Sequence, residues 1–169
     1  MVADFMVRAR ELLASGVDQS GLDAVGRLLA ERSREPGFVT AGEMQSLHGS
    51  ESSFTILQSD PDGLTLMLSR FSPEAPTPVH DHKSWGVACV VAGRDRYKHW
   101  EEAPGGGVRV LYEKELDPGT VVTWLDPPHD IHSQQGIDGD AMELVLFGTD
   151  VTKTTRNYYD AETGRPITS

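Results

Sequence analysis

The stretch Thr77-Pro-Val-His80-Asp-His82-Lys-Ser-Trp-Gly86 decides how this chain is expected to fold. It overlaps a long apolar segment, 79–91, that reads as a β-strand. Residues two positions apart in a strand face the same side, so the imidazoles of His80 and His82 are expected to lie together and to be able to hold one metal ion. The alternative is a pair of exposed or hydrogen-bonded structural histidines.

A third ligand has to come from another strand, and His132 has the right context for it. It follows the turn Asp126-Pro-Pro-His-Asp130, at the point where a new strand can begin. Three imidazoles around one ion leave coordination positions open. The alternative for His132 is a structural histidine. His129, inside the turn, is interpreted as a surface group or as a group outside the ligand set. His48 and His99 have no partner at useful spacing and are interpreted as structural or solvent-facing.

The first 37 residues read as helical. Apolar residues recur at intervals of three and four from Val2 to Leu13. A second helix is expected to begin with Ser20 as its N-cap and to end at Pro36-Gly37. Both helices are too short to hold a core alone, so residues 1–37 are predicted to form a packed cap.

Beyond residue 50 the apolar pattern changes to short strands. Candidate strands, each bounded by Gly- or Pro-containing turns, are 54–58, 64–71, 79–91, 94–100, 108–116, 120–125 and 142–147. Such spacing predicts a mainly β fold, an antiparallel barrel or a double-sheet sandwich. With no linker-like segment, the chain is predicted to form a single domain over residues 1–169, with the β-barrel at 50–165.

Composition excludes several partners. The 169 residues include 15 Lys and Arg against 26 Asp and Glu, a net charge of −11. Such a chain repels phosphate backbones and anionic lipids, so neither nucleic acid nor a membrane is an expected partner. The one cysteine, Cys89, cannot form an internal disulfide, and we expect a cytoplasmic location. A homodimer is compatible with the sequence, which does not specify an oligomeric state.

The histidine motifs resemble those of the cupin superfamily. More narrowly, residues 50–165 are similar to the thiol dioxygenases, which include cysteine dioxygenase and 3-mercaptopropionate dioxygenase. The residues that carry the resemblance are 77–86, Gly93, Gly119, Pro127-Pro-His-Asp-Ile-His132, Phe147-Gly-Thr-Asp150, Arg156, Tyr159-Asp160 and Thr163-Gly164. The resemblance implies a cupin double-stranded β-helix in which His80, His82 and His132 hold one Fe(II). It also implies that a small thiol reacts with O₂ to give a sulfinate. Ni, Zn or Mn would suit three imidazoles as well.

The sequence departs from the related families at several positions. Common cupins carry a Glu ligand four or five residues after the second histidine, where this chain has Gly86 and Val87. Cysteine dioxygenases of the animal type link a Cys to a Tyr, at positions matched here by Val87 and Phe147. No such link is expected, and Cys89 is interpreted as a small buried hydrophobe.

Two further residues are candidates for catalysis or substrate binding. The family places Ser, His and Tyr on the strand after the third ligand, where Glu143, Val145 and Phe147 stand here. On the inward face, the Glu143 carboxylate could bind a substrate amine or take a proton, whereas a register shift by one residue would leave it solvated. Arg156 matches the arginine with which the mercaptopropionate type binds the substrate carboxylate.

Each of these assignments has an alternative. Arg156 could instead be a surface arginine paired with Asp160 or Glu162. Arg70 is a second candidate for the substrate carboxylate. The residues Trp85 and Tyr97 could line a pocket, but core packing is preferred for both.

We therefore expect a small-molecule thiol, carrying a carboxylate, and O₂ to be the substrates of an Fe(II) dioxygenase. Two alternatives stay open at this point. One is another three-histidine cupin enzyme, such as a ring-cleaving dioxygenase or a metal lyase. The other is a non-catalytic cupin that binds a metal or a ligand.

Overall fold

A computed structural model of the chain describes residues 1–48 and 53–167. Three helices precede the strands: α1 (Val2–Leu12), α2 (Gln19–Arg32) and α3 (Ala41–Leu47). Ten strands follow: β1 (Phe54–Ser59), β2 (Thr65–Phe71), β3 (Val79–His80), β4 (Gly86–Ala92), β5 (Asp95–Glu102), β6 (Val108–Leu116), β7 (Val121–Trp124), β8 (His132–Gly136), β9 (Ala141–Phe147) and β10 (Tyr158–Tyr159).

The strands form two antiparallel sheets of five. Sheet I has the order β1-β2-β9-β4-β7 and sheet II the order β10-β3-β8-β5-β6. Strands distant in sequence are neighbours in both sheets, since β9 lies between β2 and β4, and β8 between β3 and β5. The predicted mainly β fold, a double sheet of antiparallel strands preceded by helices, is confirmed.

The helices differ from the prediction in two details. The N-cap of α2 is Asp18, not Ser20, because the Asp18 carboxylate accepts a hydrogen bond of 2.7 Å from the Gly21 amide. The third helix was not predicted, although its capping box is visible in the sequence: Thr40 and Glu43 satisfy each other's backbone amides at its start.

Sheet I is covered on both faces. Leu144 and Leu146 of β9 pack against the helices, with residues such as Phe5 and Leu22. The alternate residues of β9 face sheet II. Because β9 is buried throughout, it reads as a continuous apolar run interrupted only by Glu143. None of the helices in the described residues is both long and apolar enough to cross a membrane.

The long strand expected at 79–91 is in fact two strands. Strand β3 ends at His80, and β4 begins at Gly86 in the other sheet. Asp130 causes the break, because its carboxylate accepts hydrogen bonds from the backbone amides of His82 (3.0 Å) and Lys83 (2.7 Å). Lys83 takes a left-handed conformation with φ of 57°. His82 therefore lies in a loop, and strand alternation is not what places it beside His80.

Candidate metal centre and its cavity

Three buried histidines converge between the sheets. The ligand nitrogens of His80, His82 and His132 lie within 4.8 Å of one another. His80 and His132 are directly opposite each other in the pairing of β3 with β8. The loop after β3 brings in His82, whose Nε2 lies 2.9 Å from the Nε2 of His132. The structure thus brings together the three histidines singled out from the sequence.

Neighbouring groups fix two of these rings. The Nδ1 of His80 lies 2.7 Å from the Pro78 carbonyl oxygen, which can only accept, so this nitrogen carries the proton and Nε2 keeps its lone pair. The Nδ1 of His132 lies 3.4 Å from the hydroxyl of Tyr97. The carbonyl contact of His80 leaves its Nε2 free to bind a metal ion, and such second partners orient metal-binding histidines.

Burial keeps the three imidazoles neutral. It lowers the pKa of His80 to about 4 and holds the pKa values of His82 and His132 well below their usual range. Neutral imidazole is the form that binds metal ions. The Nδ1 of His82 is buried with no hydrogen-bond partner among the described residues. A cluster of neutral nitrogen donors with an unsatisfied buried nitrogen fits a transition-metal ion.

Trp124 packs against Gly86, one of the two positions that match the Glu ligand of common cupins. A Cβ atom at Gly86 would lie 2.0 Å from the Trp124 indole, so position 86 has no room for a carboxylate side chain. The indole is fixed by a 3.1 Å hydrogen bond from its Nε1 to the Ser84 carbonyl oxygen. Val87, the other matching position, faces the helix-side core. Neither position can supply the Glu ligand of common cupins.

The cluster opens into a cavity of about 210 Å³. Its wall combines aromatic and aliphatic side chains with a few polar groups. The lining residues are Ser53, Phe54, Met67, Ser69, Phe71, Thr77, Pro78, His80, His82, His132, Gln134, Val145, Phe147, Arg156 and Tyr158. Among these described residues, Arg156 carries the one permanent charge. Cavities of this kind bind small molecules through a few placed polar groups.

Arg156 lies on the cavity wall, half-buried, beside the histidines. Burial lowers its pKa from the ordinary arginine value. The alternative pairing with Asp160 or Glu162 does not occur among the described contacts, and Asp160 instead accepts a 2.7 Å hydrogen bond from the Thr163 hydroxyl. The guanidinium is therefore available to an anion inside the cavity.

Arg70 and Trp85 lie elsewhere. The Arg70 guanidinium approaches Asp140 to 3.4 Å, and Arg70 is absent from the described cavity lining. Trp85 packs in the helix-side core, as preferred from the sequence. Cys89 is fully buried in the same core, which confirms its interpretation as a small hydrophobe.

Glu143 faces inward but stops one layer short of the cavity. Its carboxyl group is fully buried and receives a 2.7 Å hydrogen bond from Nε2 of Gln134, which does line the cavity. The same Nε2 lies 3.2 Å from Asp95. Burial and the nearby Asp95 raise the pKa of Glu143 well above its usual range, and burial raises the pKa of Asp95 to about 6. The register shift that would have left Glu143 solvated does not occur.

Sequence reasoning missed the surroundings of His132. His99 was interpreted as structural or solvent-facing, yet it is buried and directly opposite His132 in the pairing of β5 with β8. The buried Tyr97 hydroxyl lies 3.4 Å from Nδ1 of both rings, and His99 stacks on Tyr112 with ring centroids 5.1 Å apart. The i, i+2 spacing of Tyr97 and His99 in a strand could have revealed that they share a face.

Comparisons with known proteins concern the fold. Neither protein-family models nor curated proteins match this sequence. An oxalate oxidase in complex with glycolate is structurally similar, with a TM-score of 0.47, 14% identity, and coverage of 64% of this chain and 56% of that chain. A cupin-like protein from Thermotoga maritima has a TM-score of 0.42, 20% identity and coverage of 65% and 77%. A DMSP lyase structure has a TM-score of 0.47 and 16% identity, and the match covers 79% of this chain and 78% of that chain.

This chain thus spans a little over half the length of that oxalate oxidase. At these identities the matches concern architecture alone. The two antiparallel sheets enclose a three-histidine cluster that could hold a metal ion.

Proposed function

We propose that this protein is a non-haem Fe(II) dioxygenase that oxidises a small, carboxylate-bearing thiol to a sulfinate. The observation that carries the proposal is one cavity in which three neutral histidines and the Arg156 guanidinium face the same space. Such a site offers a metal ion at one place and an anion receptor at another. The resemblance of the motifs to thiol dioxygenases supports the choice of thiol and O₂.

The group that the three histidines would hold is Fe(II). When bound, it would supply a Lewis-acidic, redox-active centre with coordination positions not taken by protein. His80, with Nδ1 held by Pro78, would present Nε2, and His82 and His132 would complete the set, with the Tyr97 hydroxyl beside His132. Affinity alone does not select iron, so the metal is part of the proposal.

Arg156 would orient the substrate. A guanidinium can bind a carboxylate through two parallel hydrogen bonds, which fixes both the position and the rotation of the acid. The cavity volume of about 210 Å³ suits a molecule of a few heavy atoms between Arg156 and the histidines. The thiol end would then face the metal site.

The rest of the wall would keep water out. Met67, Val145 and Phe147 cover the side of sheet I, and the Phe147 ring centroid lies 4.6 Å from that of His82. An apolar wall strengthens the electrostatic contacts of the bound acid and favours the apolar gas O₂ over water. Gln134 adds a polar group whose orientation is set by Glu143 and Asp95.

The proposed reaction balances without a further reagent. A thiolate and O₂ give a sulfinate, with both oxygen atoms forming bonds to sulfur. Sulfur loses four electrons and O₂ accepts them as its O–O bond breaks. No external reductant is needed, so oxygen uptake and sulfinate formation should be equal.

The test is oxygen consumption by Fe(II)-loaded protein with 3-mercaptopropionate, cysteine and cysteamine, together with mass spectrometry of the product. We expect uptake with a carboxylate thiol, one sulfinate formed per O₂, and a lower rate with cysteamine, which has no carboxylate. His132→Ala should abolish uptake. His48→Ala, which changes an exposed histidine outside the cluster, should not.

Absence of uptake above the His132→Ala level with every thiol would refute the proposal. Iron binding without thiol turnover would then favour one of the two other functions considered for this site. Turnover of an aromatic diol would indicate the ring-cleaving class, and binding without any turnover in air would indicate a non-catalytic cupin.

A further inference from the structure

We propose that Asp81, between the histidines His80 and His82, is a positioning residue that fixes Arg156 relative to the metal site. This inference rests on the proposed function, because it assigns Arg156 to the substrate carboxylate. It concerns the attachment of residues 155–159, which carry Arg156, to the loop that carries His82. We call residues 155–159 the arginine segment.

The attachment is made by three contacts between Asp81 and Asn157, and Lys83 adds a fourth contact to the same carboxylate. Asp81 Oδ1 accepts a 2.9 Å hydrogen bond from the Asn157 amide, and Oδ2 accepts one of 2.9 Å from the Asn157 side-chain Nδ2. The Asp81 amide donates to the Asn157 carbonyl oxygen at 3.2 Å. The Nζ of Lys83 lies 2.5 Å from Oδ2. Asp81 thus binds both the backbone amide and the backbone carbonyl of Asn157.

The direction of the side chains in the arginine segment follows from this attachment. Arg156 and Tyr158 line the cavity, whereas Asn157, between them, reaches Asp81. The alternation is that of an extended chain, in which successive side chains point to opposite sides. Fixing Asn157 therefore also fixes the side to which Arg156 points.

Burial makes these contacts effective. Asp81 is 3% exposed, so its carboxylate is shielded from water and its hydrogen bonds are charge-assisted in a low-dielectric setting. The remaining attachment of the arginine segment to sheet II is small. Strand β10 pairs with β3 at only two positions, Tyr158 with His80 and Tyr159 with Val79. Asp81 extends this short ladder by one residue towards Arg156.

The consequence is a fixed distance between two functional groups that are far apart in sequence. His80 and His82 flank Asp81 covalently, and Arg156 is covalently next to Asn157. A contact between Asp81 and Asn157 therefore sets the separation between the metal site and the carboxylate receptor. Misplacement of a substrate-orienting group by about 1 Å can lower the rate by roughly a hundredfold.

The first test measures the attachment itself. Hydrogen–deuterium exchange of Asp81→Ala protein should show faster exchange in peptides covering 151–160 than wild type, with β5 and β6 unchanged. Asp117→Ala, which removes an exposed carboxylate bound to Arg94, is the matched control and should leave 151–160 as in wild type. Unchanged exchange in Asp81→Ala would overturn the inference whatever the activity.

The second test measures coupling to Arg156. Asp81→Ala should raise KM for 3-mercaptopropionate roughly tenfold or more, while the metal content after Fe(II) loading stays at the wild-type level. The Arg156→Gln, Asp81→Ala double variant should have the same KM as Arg156→Gln alone, because a lost receptor cannot be misplaced further. Additive increases in KM would show that Asp81 acts independently of Arg156 and would overturn the inference.

A second variant covers the case in which Asp81→Ala does not fold. Asn157→Ala lies outside the metal loop and removes only the Nδ2 contact, so a smaller change in exchange and in KM is expected in the same direction. The two proposals fail differently. Faster exchange in Asp81→Ala without any thiol oxidation in wild type would refute the proposed function alone. Thiol oxidation with unchanged exchange and KM in Asp81→Ala would refute the positioning role alone.

Discussion

Gly86 leaves room for the indole that packs beside the histidine cluster. At Gly86, an added Cβ would meet the Trp124 indole at 2.0 Å, and that indole packs against the His132 ring with centroids 4.9 Å apart. The ring cannot withdraw without losing its hydrogen bond to Ser84. The absence of a fourth carboxylate ligand is therefore enforced by packing as well as by the sequence.

We expect Gly86→Ala to lower the free energy of unfolding by roughly 1–3 kcal/mol through overpacking. Urea denaturation of the metal-free protein measures this. Gly42→Ala in α3 is a matched control, since its Cβ would lie in ordinary contact, 3.8 Å, with the Thr40 hydroxyl, and the change should be neutral or slightly stabilising. Equal stability of Gly86→Ala and wild type would show that Trp124 has room to move.

Arg156→Gln tests the carboxylate receptor. A hydrogen bond to a charged group contributes about 1.5–3 kcal/mol, so KM for 3-mercaptopropionate should rise roughly 10- to 150-fold. The rate with cysteamine, which has no carboxylate, should change little. Arg70→Gln serves as control because Arg70 is outside the described cavity lining. An unchanged KM in Arg156→Gln would assign the carboxylate to another residue.

Tyr97→Phe tests the support of His132. The hydroxyl is the described partner of the His132 Nδ1, and losing such a second partner lowers metal affinity by roughly 10- to 100-fold. Competition with a chelator for Zn(II) measures the affinity directly. Tyr112→Phe removes a hydroxyl from the ring that stacks on His99 and should leave the affinity unchanged. Equal affinities in the two variants would mean that the 3.4 Å contact does not orient His132.

At the scale of elements, a buried acid pair joins the two sheets. Glu143 of β9 in sheet I and Asp95 of β5 in sheet II both accept hydrogen bonds from Gln134 of β8. The pKa of Asp95 is raised to about 6, and the pKa of Glu143 well above its usual range, mainly by burial. Tyr97 also faces Glu143, and burial raises the pKa of its hydroxyl, so it stays protonated at neutral pH.

This pair should make stability depend on pH. An acid whose pKa is higher in the folded than in the unfolded state stabilises the fold below the unfolded pKa, and the stabilisation is lost as pH rises through the folded pKa. For Asp95, stability is lost as the pH rises from 3.8 to about 6. For Glu143, the loss begins at pH 4.5 and continues to higher pH. Glu143→Gln removes one titrating group and lets Asp95 ionise more easily.

We therefore expect the stability of Glu143→Gln, relative to wild type, to be greater at pH 8 than at pH 5. Urea denaturation at the two pH values measures the difference in the free energy of unfolding. The comparison with wild type removes the contribution of the histidines, which titrate in both proteins. Glu113→Gln, an exposed glutamate on β6, should show no such change between the two pH values. A constant difference between Glu143→Gln and wild type would mean that Glu143 is already ionised at pH 5.

The sequence predicted those elements whose pattern is local. Strands such as β2, β6 and β9 were predicted because apolar and β-branched runs end at Gly or Pro. Strand β10 is only two residues long, and its pairing with β3 is secured by the Asp81 contacts, so no periodicity could reveal it. Likewise, the break after His80 depends on Asp130, which is 48 residues from His82 in sequence.

The histidines of the site were predictable for the same reason. His80 and His82 are close in sequence, although a loop and not strand alternation brings them together, and His132 starts a strand whose turn is visible. The placement of Glu143 one layer behind the cavity was not predictable, because it depends on Gln134 lying between the sheets. Nor was the role of Trp124, which lies opposite Gly86 only once β4 and β7 pair.

At the scale of the whole molecule, the candidate metal site brings together segments that are far apart in sequence. His80 and His132 belong to sheet II, and His82 lies on the segment that crosses to sheet I. The crossing is already fixed by Asp130. An ion held by all three side chains would tie this crossing to β8, at the boundary between the two sheets.

A metal ion should therefore stabilise the whole fold and not only the cavity. A ligand that binds only the native state adds about 4 kcal/mol at a concentration a thousand times its Kd. For a chain of this size, that corresponds to a rise in Tm of roughly 10 °C. Zn(II), which has no redox chemistry, is the suitable probe in a thermal scan at pH 7. The scan should show the rise in wild type and in His48→Ala, and EDTA should reverse it. His132→Ala should show almost none, because two imidazoles hold the ion much more weakly than three. An equal rise in His132→Ala would place the stabilising ion outside the three-histidine cluster.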